Sequence, residues 1–123
     1  ELVAGSQQPT TAYDQTYDAS RHVVLPGLIN THHHFYQTLT RAYPDALNKE
    51  LFPWLKTLYP LWAGLEPEML KVATTLAMAE LMLSGCTLAA DHHYLFPNGM
   101  EEAIDAQVEA VNALGIRAMH EVL

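Results

Sequence analysis

Three shortages limit what this sequence can be. It contains one cysteine, Cys86, so no disulfide can form within the chain, which favours a reducing compartment. Lys and Arg total 6 against 14 Asp and Glu, and the net charge of −8 argues against nucleic acid or an anionic membrane as a partner. Every long apolar run is interrupted by polar residues, and the sequence does not open on a basic segment followed by an apolar one. We therefore expect neither a signal peptide nor a membrane span, and predict a cytoplasmic protein.

What is present is typical of a globular domain. The chain has 123 residues, of which 50% are hydrophobic and 16% charged. Short apolar runs at residues 23–29, 86–90 and 116–123 predict strands, and apolar residues at helical spacing predict helices over 66–85 and 100–114. The stretch 50–65 is rich in bulky apolar residues but contains Pro53 and Pro60, which favours a loop between strand and helix. The strand and helix order predicts an α/β fold with a parallel sheet.

One stretch carries the candidate chemistry: residues 25–41 read LPGLINTHHHFYQTLTR. Side chains alternate along a strand, so His32 and His34 should project from one face and His33 from the other. Two neutral imidazoles on one face can bind a divalent ion, although a catalytic zinc site usually has about three protein ligands. Taken alone, the pair leaves open a polar patch at a strand end with no metal.

The residues around the histidines narrow the interpretation. The pattern Pro26-Gly27-x-x-Asn30-x-His32-x-His34 resembles the first-strand motif of the amidohydrolase superfamily, metal-dependent (β/α)8-barrel hydrolases and deaminases. The segments HHHFYQTLTRA, LFPWL, AMAELMLSGCT, DHHY and FPNG are most similar to the 8-oxoguanine deaminases of that superfamily. Gln37 extends the motif to His-x-His-x-x-Gln, as in the guanine deaminases. The resemblance covers about residues 20–123.

The resemblance implies a fold and a division of the chain. Residues 1–24 would be a remnant of a small N-terminal β-sandwich domain, and residues 25–123 the first three βα units of a metal-dependent (β/α)8 TIM barrel. His32 and His34 would bind one divalent ion, zinc or iron. The general acid/base and the remaining ligands are expected beyond Leu123, so the segment alone should be inactive.

The implied function is hydrolytic deamination of an amino-substituted heterocycle, with 8-oxoguanine as the first candidate substrate. Guanine or a hydroxy-s-triazine are alternatives within the superfamily, because later strands would complete recognition of the ring. A non-catalytic metal-binding fragment is an alternative of another class. A homo-oligomer of a longer parent chain is also implied by the resemblance.

Three residues are candidates for contact with the substrate. Gln37 has an amide that can both donate to and accept from a purine edge. Trp54 belongs to an apolar cluster that could either cover a barrel's active site or pack in the core. His92 follows a strand at the end where barrel sites lie, which favours a place facing the substrate or beside the ligands. Arg41 could bind an electron-rich carbonyl or pair with a carboxylate such as Asp45.

Other histidines and acids receive weaker predictions. Asp91 and His93 flank His92 and are less favoured at the site, while His22 is interpreted as a surface residue. His120 and Glu121 lie within the last predicted strand, which favours a structural role.

Overall fold

The computed structural model describes residue 7, residue 12 and residues 14–122, with Glu121 and Val122 described by their backbone alone. Residues 1–6, 8–11 and 13 lie outside the described residues, and much of the predicted sandwich remnant falls on them. The division into a sandwich remnant and a barrel portion is therefore still a prediction.

The described chain alternates strands with helices. The strands are β1 (Leu28–His33), β2 (Cys86–His93) and β3 (Arg117–Val122). The helices are α1 (Leu51–Trp62), α2 (Pro67–Leu83) and α3 (Ala103–Leu114), and two short 3-10 helices span Phe35–Thr40 and Pro44–Ala46. Among these residues no helix is both long and apolar enough to cross a membrane.

The strands form one parallel sheet in the order β1-β2-β3, which confirms the predicted α/β arrangement. The pairing of β1 with β2 is irregular next to the histidines. Asn30 pairs with Ala89 and His33 with Asp91, so three residue steps on β1 oppose two on β2. Such bulges bend a strand and redirect its side chains. The backbone N–H of His32 donates to Asn30 Oδ1 at 3.1 Å inside this irregular stretch.

Helix α2 begins and ends close to where the sequence predicted. Pro67 occupies the first turn, where a missing N–H costs no helical hydrogen bond, and Glu68 places a negative charge near the positive end of the helix dipole. Gly85 follows the helix with φ +83°, a left-handed conformation that glycine adopts without steric cost.

The loop predicted for residues 50–65 was wrong, because this stretch folds as α1. Pro53 lies in the first turn of the helix, where its missing N–H is tolerated. Pro60 lies inside the helix but only two residues before its end, and the N–H of Ala63 still donates to the carbonyl of Tyr59 at 2.8 Å. Leu58 and Trp62 are fully or almost fully buried, and this burial offsets the penalty of the internal proline.

Two strand predictions were also corrected. Residues 23–27 form no strand, and Leu28 and Ile29 of β1 are each 62% exposed instead of buried. Strand β2 continues past Ala90 to His93, so Asp91, His92 and His93 belong to the strand. Within the described residues β1 is an edge strand, which explains its exposure.

The core has two parts. One fills the space between the sheet and helices α2 and α3, and consists of Phe35, Ala77, Met78, Ala89, Val111 and Ile116. The other surrounds α1 and includes Tyr36, Leu58, Trp62, Leu70 and Met100. Phe35 and Tyr36 are adjacent, so the short helix after β1 is anchored in both parts of the core.

Candidate metal centre

His32 and His34 project from the same side of the sheet, as the alternation predicted. Their ring centroids are 4.9 Å apart and the planes are nearly perpendicular. His33 points to the other side, where its ring centroid lies 5.0 Å from that of Phe35 in the core. We call the side with His32 and His34 the open face, and the side on which α2 and α3 pack the covered face.

A hydrogen bond fixes the tautomer of His34. Its Nδ1 lies 2.6 Å from the backbone carbonyl oxygen of His92. Because a carbonyl only accepts, Nδ1 must carry the hydrogen, and a neutral ring then has its lone pair on Nε2. Metal-binding histidines commonly donate their other ring N–H to a carbonyl in this way.

The donor set fits part of a metal site. His32 and His34 offer imidazole nitrogens, which suit zinc and iron among the divalent ions. No group of three or more His, Cys, Asp or Glu side chains within the described part of the chain could hold a metal ion. A catalytic zinc site usually has three protein ligands. His32 and His34 are therefore of the right chemical type for such a site but supply fewer ligands than it needs.

The two histidines border a cavity of about 400 Å³. Gln37 and Trp54 line it too, so the structure brings two of the three predicted substrate contacts next to the candidate ligands. Gln37 lies in the short helix after β1, and its Nε2 donates to the Tyr36 hydroxyl at 3.3 Å. Trp54, from α1, packs edge-on against Trp62 with centroids 5.4 Å apart. The cavity therefore combines imidazole, amide and indole groups.

His92 is not among the residues that line this cavity. It lies on the open face, where its ring centroid is 4.2 Å from that of His32 with the planes tilted by 32°. Its Nε2 is 3.4 Å from the carbonyl oxygen of Thr31. The structure thus places His92 against the candidate ligands, and its predicted contact with substrate stays a prediction.

Arg41 borders the cavity and forms an ion pair, although not with the predicted residue. Its two terminal nitrogens donate to the carboxylate oxygens of Glu80 on α2 at 2.9 and 2.6 Å. Asp45 was therefore the wrong partner. The guanidinium lowers the pKa of the Glu80 carboxyl, mainly through the hydrogen bond. The pair links the short helix region to α2 across 39 positions of sequence, a distance that sequence reasoning did not bridge.

The covered face carries a buried polar cluster centred on Asp91, which is fully buried. Its Oδ1 accepts from the backbone N–H of Phe35 at 2.8 Å, and its Oδ2 accepts from Gln107 Nε2 at 2.5 Å. Nδ1 of His120 lies 4.0 Å from Oδ2. Sequence reasoning missed Gln107, yet it occupies the buried side of α3 between Ala103 and Val111, where an apolar residue is expected. A glutamine on the apolar side of a predicted helix was the sequence signal that could have indicated this buried polar cluster.

Three histidines surround this carboxylate on the covered face. The pKa values of His33, His93 and His120 are all lowered, chiefly because burial disfavours the charged imidazolium, while the nearby Asp91 opposes the shift. Nε2 of His93 donates to the carbonyl oxygen of Leu95 at 2.8 Å. Burial therefore favours the neutral imidazole at all three positions, and the structural role of His120 stays a prediction.

Comparisons with known proteins agree with the histidine motif. Residues 23–122 match the model of the amidohydrolase family. The chain is 66% identical over 119 residues to the 8-oxoguanine deaminase of Pseudomonas aeruginosa, which is 97% of this chain and 26% of that protein. It is 41% identical over 95 residues to the hydroxydechloroatrazine ethylaminohydrolase of Pseudomonas sp. strain ADP, which is 75% of this chain and 20% of that protein. The chain thus spans about a quarter or less of the length of these relatives.

Solved structures give the same assignment. Atrazine chlorohydrolase from Arthrobacter aurescens TC1, in complex with zinc, superposes with a TM-score of 0.74 at 33% identity, over 80% of this chain and 23% of that one. An adenosine deaminase from Xanthomonas campestris with bound zinc gives a TM-score of 0.63 at 31% identity, over 76% of this chain and 20% of that one. With a parallel α/β sheet, the histidine pair on its open face and a family match across most of its length, this chain belongs to the amidohydrolase family.

Proposed function

We propose that the protein carrying this sequence is a metal-dependent hydrolytic deaminase of an amino-substituted heterocycle, with 8-oxoguanine as its substrate. One observation carries the proposal: His32 and His34 share the open face beside a cavity that also contains Gln37 and Trp54. The 66% identity to an 8-oxoguanine deaminase supports the choice of ring.

In this proposal the described residues are the first βα units of a (β/α)8 barrel, and residues 1–24 belong to a preceding β-sandwich. The support is the parallel order of β1, β2 and β3 with helices between them. The short length relative to the relatives also supports further strands. Those strands would supply the other metal ligands and the general acid/base.

His32 and His34 would hold the ion, zinc or iron, and the lone pair on Nε2 of His34 is available for it. A bound divalent ion lowers the pKa of a water molecule to about 7, which provides a nucleophile at neutral pH. The overall reaction adds water to the ring carbon that bears the amine and releases ammonia, which leaves a carbonyl on the ring.

Gln37 and Trp54 would hold the heterocycle. The Gln37 side chain offers both a donor and an acceptor, which matches the N–H and carbonyl groups along the edge of an oxo-purine. The Trp54 indole offers an apolar aromatic surface for a flat ring. Neither group carries charge, and the charged Arg41 at the border of the cavity is paired with Glu80, so Gln37 and Trp54 suit a neutral ring.

The test uses the complete protein that contains this sequence. Ammonia release is measured with 8-oxoguanine, guanine and a hydroxylated amino-s-triazine, and metal content is measured on the same sample. We expect turnover of 8-oxoguanine above the other two rings, and loss of metal and turnover in His32→Ala and His34→Ala. His22→Ala is the matched control, because His22 is an exposed histidine outside the strands.

Each possible result decides between the alternatives. Preference for the triazine would mean that the proposed substrate is wrong and that the proposed reaction, hydrolytic deamination, is right. Metal bound through His32 and His34 without release of ammonia from any ring would favour a non-catalytic metal-binding protein. Light scattering of the same preparation tests the further proposal that the protein self-associates.

A further inference from the structure

We infer that His92 is a positioning residue for both histidines of the proposed metal centre: its backbone orients His34 and its ring orients His32. The inference rests on the proposed function, since it concerns the same metal centre. It assigns His92 a different role from substrate contact.

The first contact is through the backbone. The carbonyl of His92 accepts the Nδ1–H of His34 at 2.6 Å. This bond selects the tautomer with the lone pair on Nε2, and it also limits rotation of the ring about χ2. His34 is only half-buried, so without this bond solvent would allow both tautomers and more than one orientation.

The second contact is through the side chain. The His92 ring lies over the His32 ring with centroids 4.2 Å apart and a tilt of 32°. His32 is exposed, and its own backbone lies in the irregular stretch of β1, so packing of the His92 ring limits the positions open to the His32 ring. An exposed imidazole that is already held near its bound position loses less conformational entropy when it binds an ion.

The backbone of His92 is itself held in place by its neighbour. Asp91 points to the covered face, where its carboxylate accepts from the N–H of Phe35 and from Gln107 of α3. Phe35 directly follows His34, so Asp91 and His92 contact the end of β1 from opposite faces of the sheet. Asp91 does so through the N–H of Phe35, and His92 through the rings of His32 and His34. These buried hydrogen bonds restrain Asp91 and, through the chain, the adjoining backbone of His92.

The expected consequence is a change in metal affinity. Residues that orient metal ligands typically account for a 10- to 100-fold change in affinity when they are replaced. The backbone contact survives substitution of His92, so replacing its side chain removes the packing against His32 together with the 3.4 Å contact of Nε2 with the carbonyl of Thr31. We expect a loss within that range for His92→Ala.

The experiment compares His92→Ala with His92→Phe in the complete protein, with His22→Ala as the control. Zinc affinity is measured by competition with a chelator, and circular dichroism at the same pH checks that each variant is folded. Phenylalanine keeps an aromatic ring beside His32 but cannot bind a metal or hydrogen-bond. We expect His92→Ala to bind zinc about 10- to 100-fold more weakly, and His92→Phe and His22→Ala to bind it nearly as tightly as wild type.

Two results would overturn the inference. If His92→Phe loses as much affinity as His92→Ala, the ring nitrogens matter and His92 acts as a ligand or a hydrogen-bonding group. If His92→Ala binds zinc like the wild type, the ring does not position His32. A failure of the proposed function would look different, because the wild-type protein itself would then show no zinc binding that depends on His32 and His34.

Discussion

The two faces of the sheet carry histidines from the same two short segments, yet in opposite environments. On the open face, His32, His34 and His92 cluster beside a cavity. On the covered face, His93 is fully buried near Asp91 and His33 is partly buried and also borders the cavity, and burial lowers the pKa of both imidazoles. Adjacent residues of one type thus divide into a candidate site and an interior cluster, because a strand alternates its side chains between a face packed by helices and one that is not.

Among substitutions that test the difference between the two faces, Asp91→Leu should have the largest effect on stability. Leucine would leave the N–H of Phe35 and the amide of Gln107 buried without an acceptor, at about 1–3 kcal/mol each. We expect the free energy of unfolding, measured with urea, to fall by roughly the sum of these two costs. Zinc affinity should fall as well, since Asp91 holds the strand end that orients His34.

Asp91→Asn is the matched control for that variant. Its amide oxygen can still accept from Phe35, and its NH2 can donate to Gln107 Oε1, a buried acceptor with no hydrogen-bond partner in the described structure. We expect most of the stability to be retained. An equal loss in both variants would mean that the negative charge, and not the hydrogen bonds, is what the cluster requires.

A pair of adjacent substitutions tests the division of the faces directly. His32→Leu should abolish zinc binding in the complete protein with little change in the urea midpoint, because His32 is exposed. His33→Leu should leave zinc binding nearly intact. It also removes a buried Nδ1 that has no partner, so the urea midpoint should stay level or rise. Loss of zinc in both variants at equal stability would contradict the assignment of His33 to the interior.

The covered face should also respond to pH. The unfolded chain protonates His93 near its ordinary pKa of 6.5, whereas burial lowers the pKa of the folded imidazole. Below about pH 6.5 the unfolded state therefore binds more protons, and the free energy of unfolding falls as pH falls. His93→Phe removes this proton uptake and keeps a ring against Tyr36, whose centroid lies 5.5 Å away.

Urea midpoints at pH 7.5 and pH 5.5 measure the effect. We expect the wild type to lose more stability than His93→Phe between these two values, although His93→Phe is less stable at pH 7.5 because it loses the hydrogen bond to Leu95. An identical pH dependence in the two proteins would show that His93 does not titrate on unfolding.

The smallest effect is expected where Arg41 borders the cavity and pairs with Glu80 of α2, from Glu80→Gln. The ion pair with Arg41 has good bidentate geometry, but 57% of the Arg41 side chain and 44% of the Glu80 side chain are exposed. Solvent and salt screen such pairs, so the melting temperature should change little, and less still at high salt. A large drop in melting temperature would mean that the pair holds the short helix after β1 in place.

The sequence by itself determined the elements whose signals are local. Alternation placed His32 and His34 on one side of a strand, Pro67 and Gly85 marked the two ends of α2, and the order of apolar runs predicted a parallel sheet. The motif around His32 also indicated the family that the comparisons support. Each of these depends on residues close together in the chain.

Only the tertiary structure decided the features that depend on distant partners. Burial of Leu58 and Trp62 kept α1 helical despite Pro60. The irregular pairing of β1 with β2 and the carbonyl of His92 oriented the histidines. Glu80 replaced Asp45 as the partner of Arg41. These choices depend on which surfaces meet after folding, because the free energy of burial and of a buried hydrogen bond arises only where two segments come into contact.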